Sequence, residues 1–415
     1  MNKIKYVLHK LGKKPMKFRL QMILISLVLV SLVSMIVIYL HKPVKSMILK
    51  AKFQSELETL YDQYKFPGAT AAFVLPDGTV EIAAIGLADI ESKIPMMPQS
   101  RMLAASIGKT FVGATAVALE QEGLLNLDDP ISKWLSDRTW FSRLPNHNTI
   151  TLRQLLTHSS GIENHVDMES FILSFRENWH NSTNTFSSDD LIEFVLDRPP
   201  LFKAGEGWYY SDTGYILVGL IIEEVTEHSY YEEVTQRFLE PLHLSQTTPS
   251  DRLELPGLAA GYMSPNNTFN LPPKTTLRPG VMAWHPCIEW TGGGLVSNSK
   301  DLVVWAKALY EGNAIKDNYL KNLLQSVPVS NDDPNTRYGI AVAIHENGEH
   351  GTTYGHGGWI PGYCSSLRYY AEYGVAIAFQ INTDIGIVDD STQLFNDMEN
   401  NLAKVVLNKK IIIKK

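Results

Sequence analysis

Cysteine is nearly absent: Cys287 and Cys364 are the two in 415 residues. That excludes a disulfide-stapled scaffold and a cysteine-rich metal cluster, while one bridge outside the cytoplasm and two buried thiols both stay open. A basic excess is absent too. Lys and Arg number 37 against 44 Asp and Glu, a net charge of −7, so there is no footprint for nucleic acid. No Gly-x-Ser-x-Gly occurs, which excludes the nucleophile elbow of α/β-hydrolases. His345 and His350 are five apart on an expected hairpin turn, whereas zinc-binding helices space their histidines by four. These histidines and cysteines therefore give no metal-ligand cluster. Internal repeats and low-complexity tracts are missing as well.

Long uncharged runs that are also apolar apart from a few serines are missing except for one, Met22 to Leu40. Its 19 residues would make a helix about 28 Å long, enough to cross a bilayer core. Lys3, Lys5, Lys10, Lys13, Lys14, Lys17 and Arg19 precede it, and the bulky Tyr39-Leu40-His41-Lys42 offers no cleavage site. The expected layout is a cytoplasmic basic tail (1–21), a transmembrane signal anchor (22–40) and a juxtamembrane helix (41–66). A globular domain (67–407) and a basic tail (408–415) follow. Such a chain is single-pass in the cell membrane, with its domain on the extracytoplasmic side.

With 44% hydrophobic and 20% charged residues, that domain has ample core. Residues 69–75 and 79–85 flank Pro76-Asp77-Gly78 and predict a hairpin. Residues 338–344, 363–370 and 375–382 predict late strands, and about 391–407 a closing helix. Between them, about 124–286 is mostly helical. Thr151 and Ser187 or Ser188 are expected caps, Thr213 to Glu227 and Tyr230 to Leu239 are apolar helices, and 248–285 is loop. The fold class is α+β: an antiparallel sheet from both chain ends, flanked by helices, with a helical insertion.

One stretch organises the rest: Ala104-Ala105-Ser106-Ile107-Gly108-Lys109-Thr110, followed by a densely apolar helix that stops at Gly123. Ser106 and Lys109 are three apart and share a helix face. At a buried helix N-terminus the macrodipole favours negative charge on the serine oxygen, and desolvation lowers the lysine pKa. A serine activated without histidine is the result. Spacing alone proves little, since about two Ser-x-x-Lys matches are expected by chance. The second, Ser297 to Lys300, reads as a helix start capped by Asn298 or Ser299, with Asp301 in its first turn.

Such a serine needs a proton route, a substrate holder and two amide donors for an oxyanion. Tyr210-Ser211-Asp212, after a Gly-rich entry, can supply the first two; packing and helix capping are the plain alternatives. Gly355-His356-Gly357-Gly358-Trp359 lies between late strands, where glycines permit close backbone approach. His356 suits a substrate carboxylate or a proton. The amides of Trp359 and Ser106 suit the oxyanion, with Gly358 beside them. A glycine-rich edge strand is the plain alternative.

Taken together, Ser-x-x-Lys, Tyr-x-Asn-like Tyr210-Ser211-Asp212 and His356-Gly357-Gly358 resemble the serine β-lactamase and penicillin-binding superfamily. They are nearest to its class C β-lactamase and D-alanyl-D-alanine carboxypeptidase branch, which includes esterases. The resemblance runs from about Pro67 to Asp384 and includes Gly86-Leu87-Ala88-Asp89, Leu124 to Pro130, Thr151 to Gly161 and Gly292 to Ser297. It implies Ser106 as acylated nucleophile, Lys109 as general base, Tyr210 as proton relay, and His356 in the place of a lysine. The same resemblance puts the Ser106 and Trp359 amides in the oxyanion hole. Two departures stand out. Asp212 replaces the usual asparagine, so it accepts hydrogen bonds only and would pair with Lys109, raising its pKa. His356 replaces lysine. Both point away from a dedicated β-lactamase. The expected activity is a membrane-anchored hydrolase of small-molecule or peptide substrates, foremost a D-alanyl-D-alanine carboxypeptidase on peptidoglycan-derived peptides. An esterase or weak β-lactamase is the alternative, and a non-catalytic penicillin- or peptide-binding sensor the alternative of another class.

Overall fold

The computed structural model describes residues 46–180 and 185–408. The span expected at 22–40 lies outside them, as does the tail from 409. Among the described residues no helix is long and apolar enough to cross a membrane. The chain divides into a short unit ending at Ala51 and a large unit from Lys52. Everything below concerns the large unit.

Fourteen strands are found among the described residues: β1 (Gly68–Val74), β2 (Val80–Asp89), β3 (Ile94–Pro95), β4 (Met102–Leu103), β5 (Thr248–Pro249), β6 (Thr276–Arg278), β7 (Val281–Met282), β8 (Leu295–Ser297), β9 (Val327–Pro328), β10 (Thr336–Tyr338), β11 (Ala343–Gly348), β12 (Gly351–Ile360), β13 (Tyr363–Tyr370) and β14 (Val375–Ile381). Nine of them form one sheet in the order β3-β2-β1-β14-β13-β12-β11-β10-β9. Its centre joins the two chain ends, with Ala72 on β1 opposite Ala378 on β14 in an antiparallel pair. The expected α+β architecture, an antiparallel sheet with helices, is what the chain adopts.

Alternation on β1 and β14 sorts the two faces of the sheet. Phe73 and Phe379 point to one side. Phe73 meets Phe53 at a ring distance of 4.9 Å, and Phe379 meets Phe395 of the helix Leu394–Val406 at 5.2 Å. Phe53, Leu57 and Leu60 are buried, so residues 52–64 are packed against the sheet rather than standing apart as a linker. The opposite face carries Thr70 and the small Ala72 and Ala378. Thr70 shares a 2.8 Å hydrogen bond with Ser299 on the helix Ser299–Tyr310.

The helix Lys109–Gln121 is buried from Lys109 through Leu119. Phe111 stacks on Trp305 at 4.0 Å, and the Trp305 indole N–H donates to Thr110 Oγ1. Gly113 is a contact site: a Cβ there would come within 2.6 Å of Ala341. That contact explains a correction to the expected strand at 338–344. The chain leaves β10 at Tyr338, turns through Ala341 at φ +58°, and rejoins as β11 at Ala343. The interruption packs onto the helix instead of continuing the ladder.

Local signals place the inserted region well. Thr151 and Ser187 each close a capping box, on Leu152–Leu156 and Ser188–Glu193. The apolar helix runs from Asp212 to Thr226 with Ser211 as its cap. Tyr230–Val234 continues into a wider turn, Thr235–Leu239. The expected loop 248–285 holds only the short strands β5, β6 and β7.

Candidate active site

Ser106 sits in a tight turn, Ala105–Gly108, that leads directly into the helix Lys109–Gln121. This differs from the single helix expected. In such a turn residues three apart eclipse each other, which brings Lys109 Nζ to 3.1 Å from Ser106 Oγ. Ala105 is held at φ +51°, a strained conformation for a residue with a Cβ, of the kind that gathers at functional sites. Gly108 and Gly293 make the turn possible. A Cβ on Gly108 would lie 2.5 Å from Gly293 O, and one on Gly293 would lie 2.6 Å from the Ala105 carbonyl carbon.

Lys109 is completely buried. Its ammonium donates to Gly292 O, meets Asp212 Oδ1 at 2.5 Å and lies 4.9 Å from the Tyr210 ring centroid. Burial acts to lower its pKa, but Asp212 and Tyr210 outweigh it and hold the group above the ordinary lysine value. The lowering expected from desolvation alone is therefore reversed, through the pairing that Asp212 implied. Asp212 is the first residue of its helix. Its backbone N–H donates to Asn164 Oδ1 at 3.0 Å.

Burial raises the Tyr210 pKa, opposed by Lys109, so the phenol is neutral. Its hydroxyl is buried and makes no complete hydrogen bond, although Ser106 and Lys109 are near enough to act on it. Behind it lies His158, 4.2 Å from ring to ring. His158 Nδ1 accepts from Ser211 N–H at 3.1 Å, and burial together with Lys109 keeps the imidazole neutral. The sequence presented His158 only as a helix end; its ring in fact props the Tyr210-Ser211-Asp212 segment.

His356, Gly358 and Trp359 lie along β12, beside the Ser106 turn. A Cβ on Gly358 would come within 2.4 Å of Ala104 O, so glycine is what allows the strand to reach the turn. Ser365 Oγ on β13 donates to the same carbonyl at 3.0 Å. The next amide along β12 is that of Trp359. His356 is turned away from a carboxylate-binding role. Its Nδ1 donates to Gly357 O, so Nε2 is the acceptor for the Tyr338 hydroxyl at 2.8 Å. Burial and Lys109 lower its pKa to about 3. Nothing in the sequence around Tyr338 signalled this partnership.

These residues open onto one cavity of about 810 Å³. Ser106, Tyr210, Asp212, His356 and Gly358 line it together with an aromatic wall of Phe171, Phe175, Phe269 and Trp284. No Lys or Arg is among its described lining residues. Glu289 is, and burial pushes its carboxyl up to about 8. Among the described residues no group of His, Cys, Asp and Glu is arranged to hold a metal ion. Cys364 lines the same cavity and Cys287 stands elsewhere; both are free thiols. Lys300, by contrast, is exposed, and Ser297 Oγ is bonded to Thr247 at 2.8 Å, so the second Ser-x-x-Lys has no site.

The chain is similar to known proteins. Penicillin-binding protein 4* of Bacillus subtilis is 25% identical over 80% of this chain and 71% of its own length. Protein flp of Staphylococcus aureus is 32% identical, over 47% of this chain and 38% of its own. Among solved structures, a D-stereospecific amidohydrolase from Streptomyces sp. matches 80% of this chain and 94% of its own at 28% identity and a TM-score of 0.69. D-amino acid amidase from Ochrobactrum anthropi shares the fold, with a TM-score of 0.72 at 24% identity over 87% and 99% of the two chains. The family profile described as Beta-lactamase matches residues 53–399, and with it the chain belongs to the beta-lactamase family, serine hydrolases of the β-lactamase/transpeptidase fold.

Proposed function

We propose that this serine hydrolase cleaves amides whose acyl part is apolar, rather than peptides held by a terminal carboxylate. One observation carries the reading. The cavity beside Ser106 is aromatic, and its described lining offers no Lys or Arg and only two histidines, His165 and His356, both held neutral by burial. A carboxylate would be desolvated there without a cation, which costs several kcal/mol or more. The Streptomyces relative, a D-stereospecific amidohydrolase, supports a small amide substrate.

In this reading Ser106 Oγ attacks the carbonyl carbon. Lys109 sheds a proton to Asp212, 2.5 Å away, and takes the one from Ser106. The two groups are close enough for the proton to pass directly between them when the serine needs a base. The Ser106 and Trp359 amides face the oxyanion. Tyr210, neutral and lacking a complete hydrogen bond, gives its proton to the leaving nitrogen and is reprotonated from Lys109. The serine proton thus ends on the released amine, and water resolves the acyl-Ser106 ester. Anchoring through 22–40 and an extracytoplasmic site belong to the same proposal.

A second reading, D-alanyl-D-alanine carboxypeptidase, is favoured by the likeness to penicillin-binding protein 4*. The test is turnover by the detergent-solubilised full chain, with a Ser106→Ala control. The panel holds D- and L-phenylalanine amide, a peptide ending in D-alanyl-D-alanine, a nitrophenyl ester and nitrocefin. Release of ammonia from a phenylalanine amide, lost in the control, is expected. Cleavage of the peptide with no amide turnover installs the second reading. Absence of both turnover and acylation defeats the enzyme reading and leaves a binding protein.

A further inference from the structure

The cavity carries three carboxyls, Asp167, Asp212 and Glu289. Two have partners. Asp212 meets Lys109, and Asp167 accepts from Asn164 Nδ2 at 3.1 Å and the Tyr209 hydroxyl at 3.3 Å. Glu289 is different: its Oε2 is buried and makes no hydrogen bond. A buried polar atom left this way costs about 1–3 kcal/mol and calls for an explanation.

Its location supplies one. Glu289 belongs to the loop that closes over the Ser106 turn. A Cβ at Gly293 would meet both the Ala105 carbonyl carbon, at 2.6 Å, and Glu289 Oε1, at 2.8 Å. The carboxyl thus stands one small residue away from the turn that carries the nucleophile. The next residue, Trp290, is held at φ +33°, which fixes the loop at some cost in strain. Lys109 and Asp212 both act on Glu289 electrostatically, and Lys109 is already neutralised by Asp212. What the carboxyl lacks is a cation of its own. Glu289 lines the same cavity as Ser106, and an α-ammonium of a substrate bound there would complete its carboxyl with a charge-assisted hydrogen bond.

We propose that Glu289 is a specificity residue that selects substrates by a free α-amino group, so that the substrate class is amides of apolar α-amino acids. This rests on the reading that Ser106 acylates from substrates in this cavity. The aromatic wall holds the side chain while the amine meets Glu289.

The experiment compares phenylalanine p-nitroanilide, in both enantiomers, with 3-phenylpropionic acid p-nitroanilide, the same molecule without the amine. A nitrophenyl ester and Ser106→Ala serve as controls. The readout is the ratio of kcat/KM with and without the amine, for the faster enantiomer, so a general loss of activity does not register. A wild-type ratio of about 100, falling to about 10 or below in Glu289→Gln, is expected from one charge-assisted hydrogen bond. Glu289→Asp retains part of the preference, which guards against a folding defect in either variant. A wild-type ratio near one overturns the proposal without any variant. So does a ratio that Glu289→Gln leaves intact, or one that Asp167→Asn collapses instead. Ser106-dependent ester turnover alongside a flat ratio removes only the amine preference. If no substrate shows Ser106-dependent turnover, the reading beneath fails and this inference with it.

Discussion

The chain contains the same four-residue pattern twice, and the two copies have nothing else in common. Ser106 and Lys109 face one another at 3.1 Å in a dry corner, with a carboxylate, a phenol and a cavity beside them. Ser297 ends β8, and Lys300 lies in the first turn of an ordinary helix. Ser297 is tied to Thr247, Asn298 caps the helix by accepting from Asp301 N–H at 2.9 Å, and Lys300 points to solvent. The first pair sits in a tight turn with a strained Ala105 behind it; the second pair straddles a cap. Spacing brings two side chains near each other, but burial and neighbours decide whether they have chemistry.

The strongest way to sharpen this contrast is to remove each serine. Ser106→Ala should abolish acylation by a fluorophosphonate probe and cut amide or ester turnover by about 10³-fold or more. Ser297→Ala should leave turnover within about twofold and lower stability by roughly 1 kcal/mol, as the buried Thr247 hydroxyl loses a partner. Loss of activity in Ser297→Ala would break the comparison.

The lysines come next. Lys109→Ala leaves Asp212 without its cation in a buried corner and should destabilise the fold by about 3 kcal/mol, read by urea denaturation, with activity lost as well. Lys300→Ala should change stability by less than about 0.5 kcal/mol.

Asp212→Asn tests the proton sink. With the carboxylate gone, the acidic limb of the kcat/KM profile should report Lys109 alone and move up by about one pH unit or more. A downward move would make Lys109 the only base and Asp212 a brake upon it.

A further effect concerns the loop that leads into the second motif. The Glu289 carboxyl is raised to about 8 in the folded chain, well above the ordinary glutamate range. A raised acid contributes its stability fully below the unfolded value and loses it as pH rises through the folded value. Glu289→Gln should therefore become more stabilising, relative to wild type, from pH 5 to pH 9, by on the order of 2 kcal/mol. A gap between the two melting curves that does not change with pH would show that Glu289 ionises normally.

Much of the fold could be read locally. Thr151 and Ser187 cap where their sequences place them, the hairpin around Asp77-Gly78 forms, and both chain ends enter one sheet. Those signals depend on residues within one or two turns of each other. The break at Ala341 was not readable, because its cause is Gly113 on a helix far away in sequence. The site was legible to a similar depth. Ser106, Lys109, Tyr210, Asp212, His356 and Trp359 all converge on one cavity or its rim. His158 and Tyr338 carried no signal of their own, since each gains its place only from a partner on another segment.

By itself the sequence determined the family and singled out Ser106 with Lys109, because short motifs fix local conformation and the type of chemistry available. Only the tertiary structure decided the charge of the site. Whether Lys109 is paired, whether His356 is cationic and whether Glu289 has a partner are questions of a few ångströms between distant segments. Coulomb and desolvation energies change steeply over that distance.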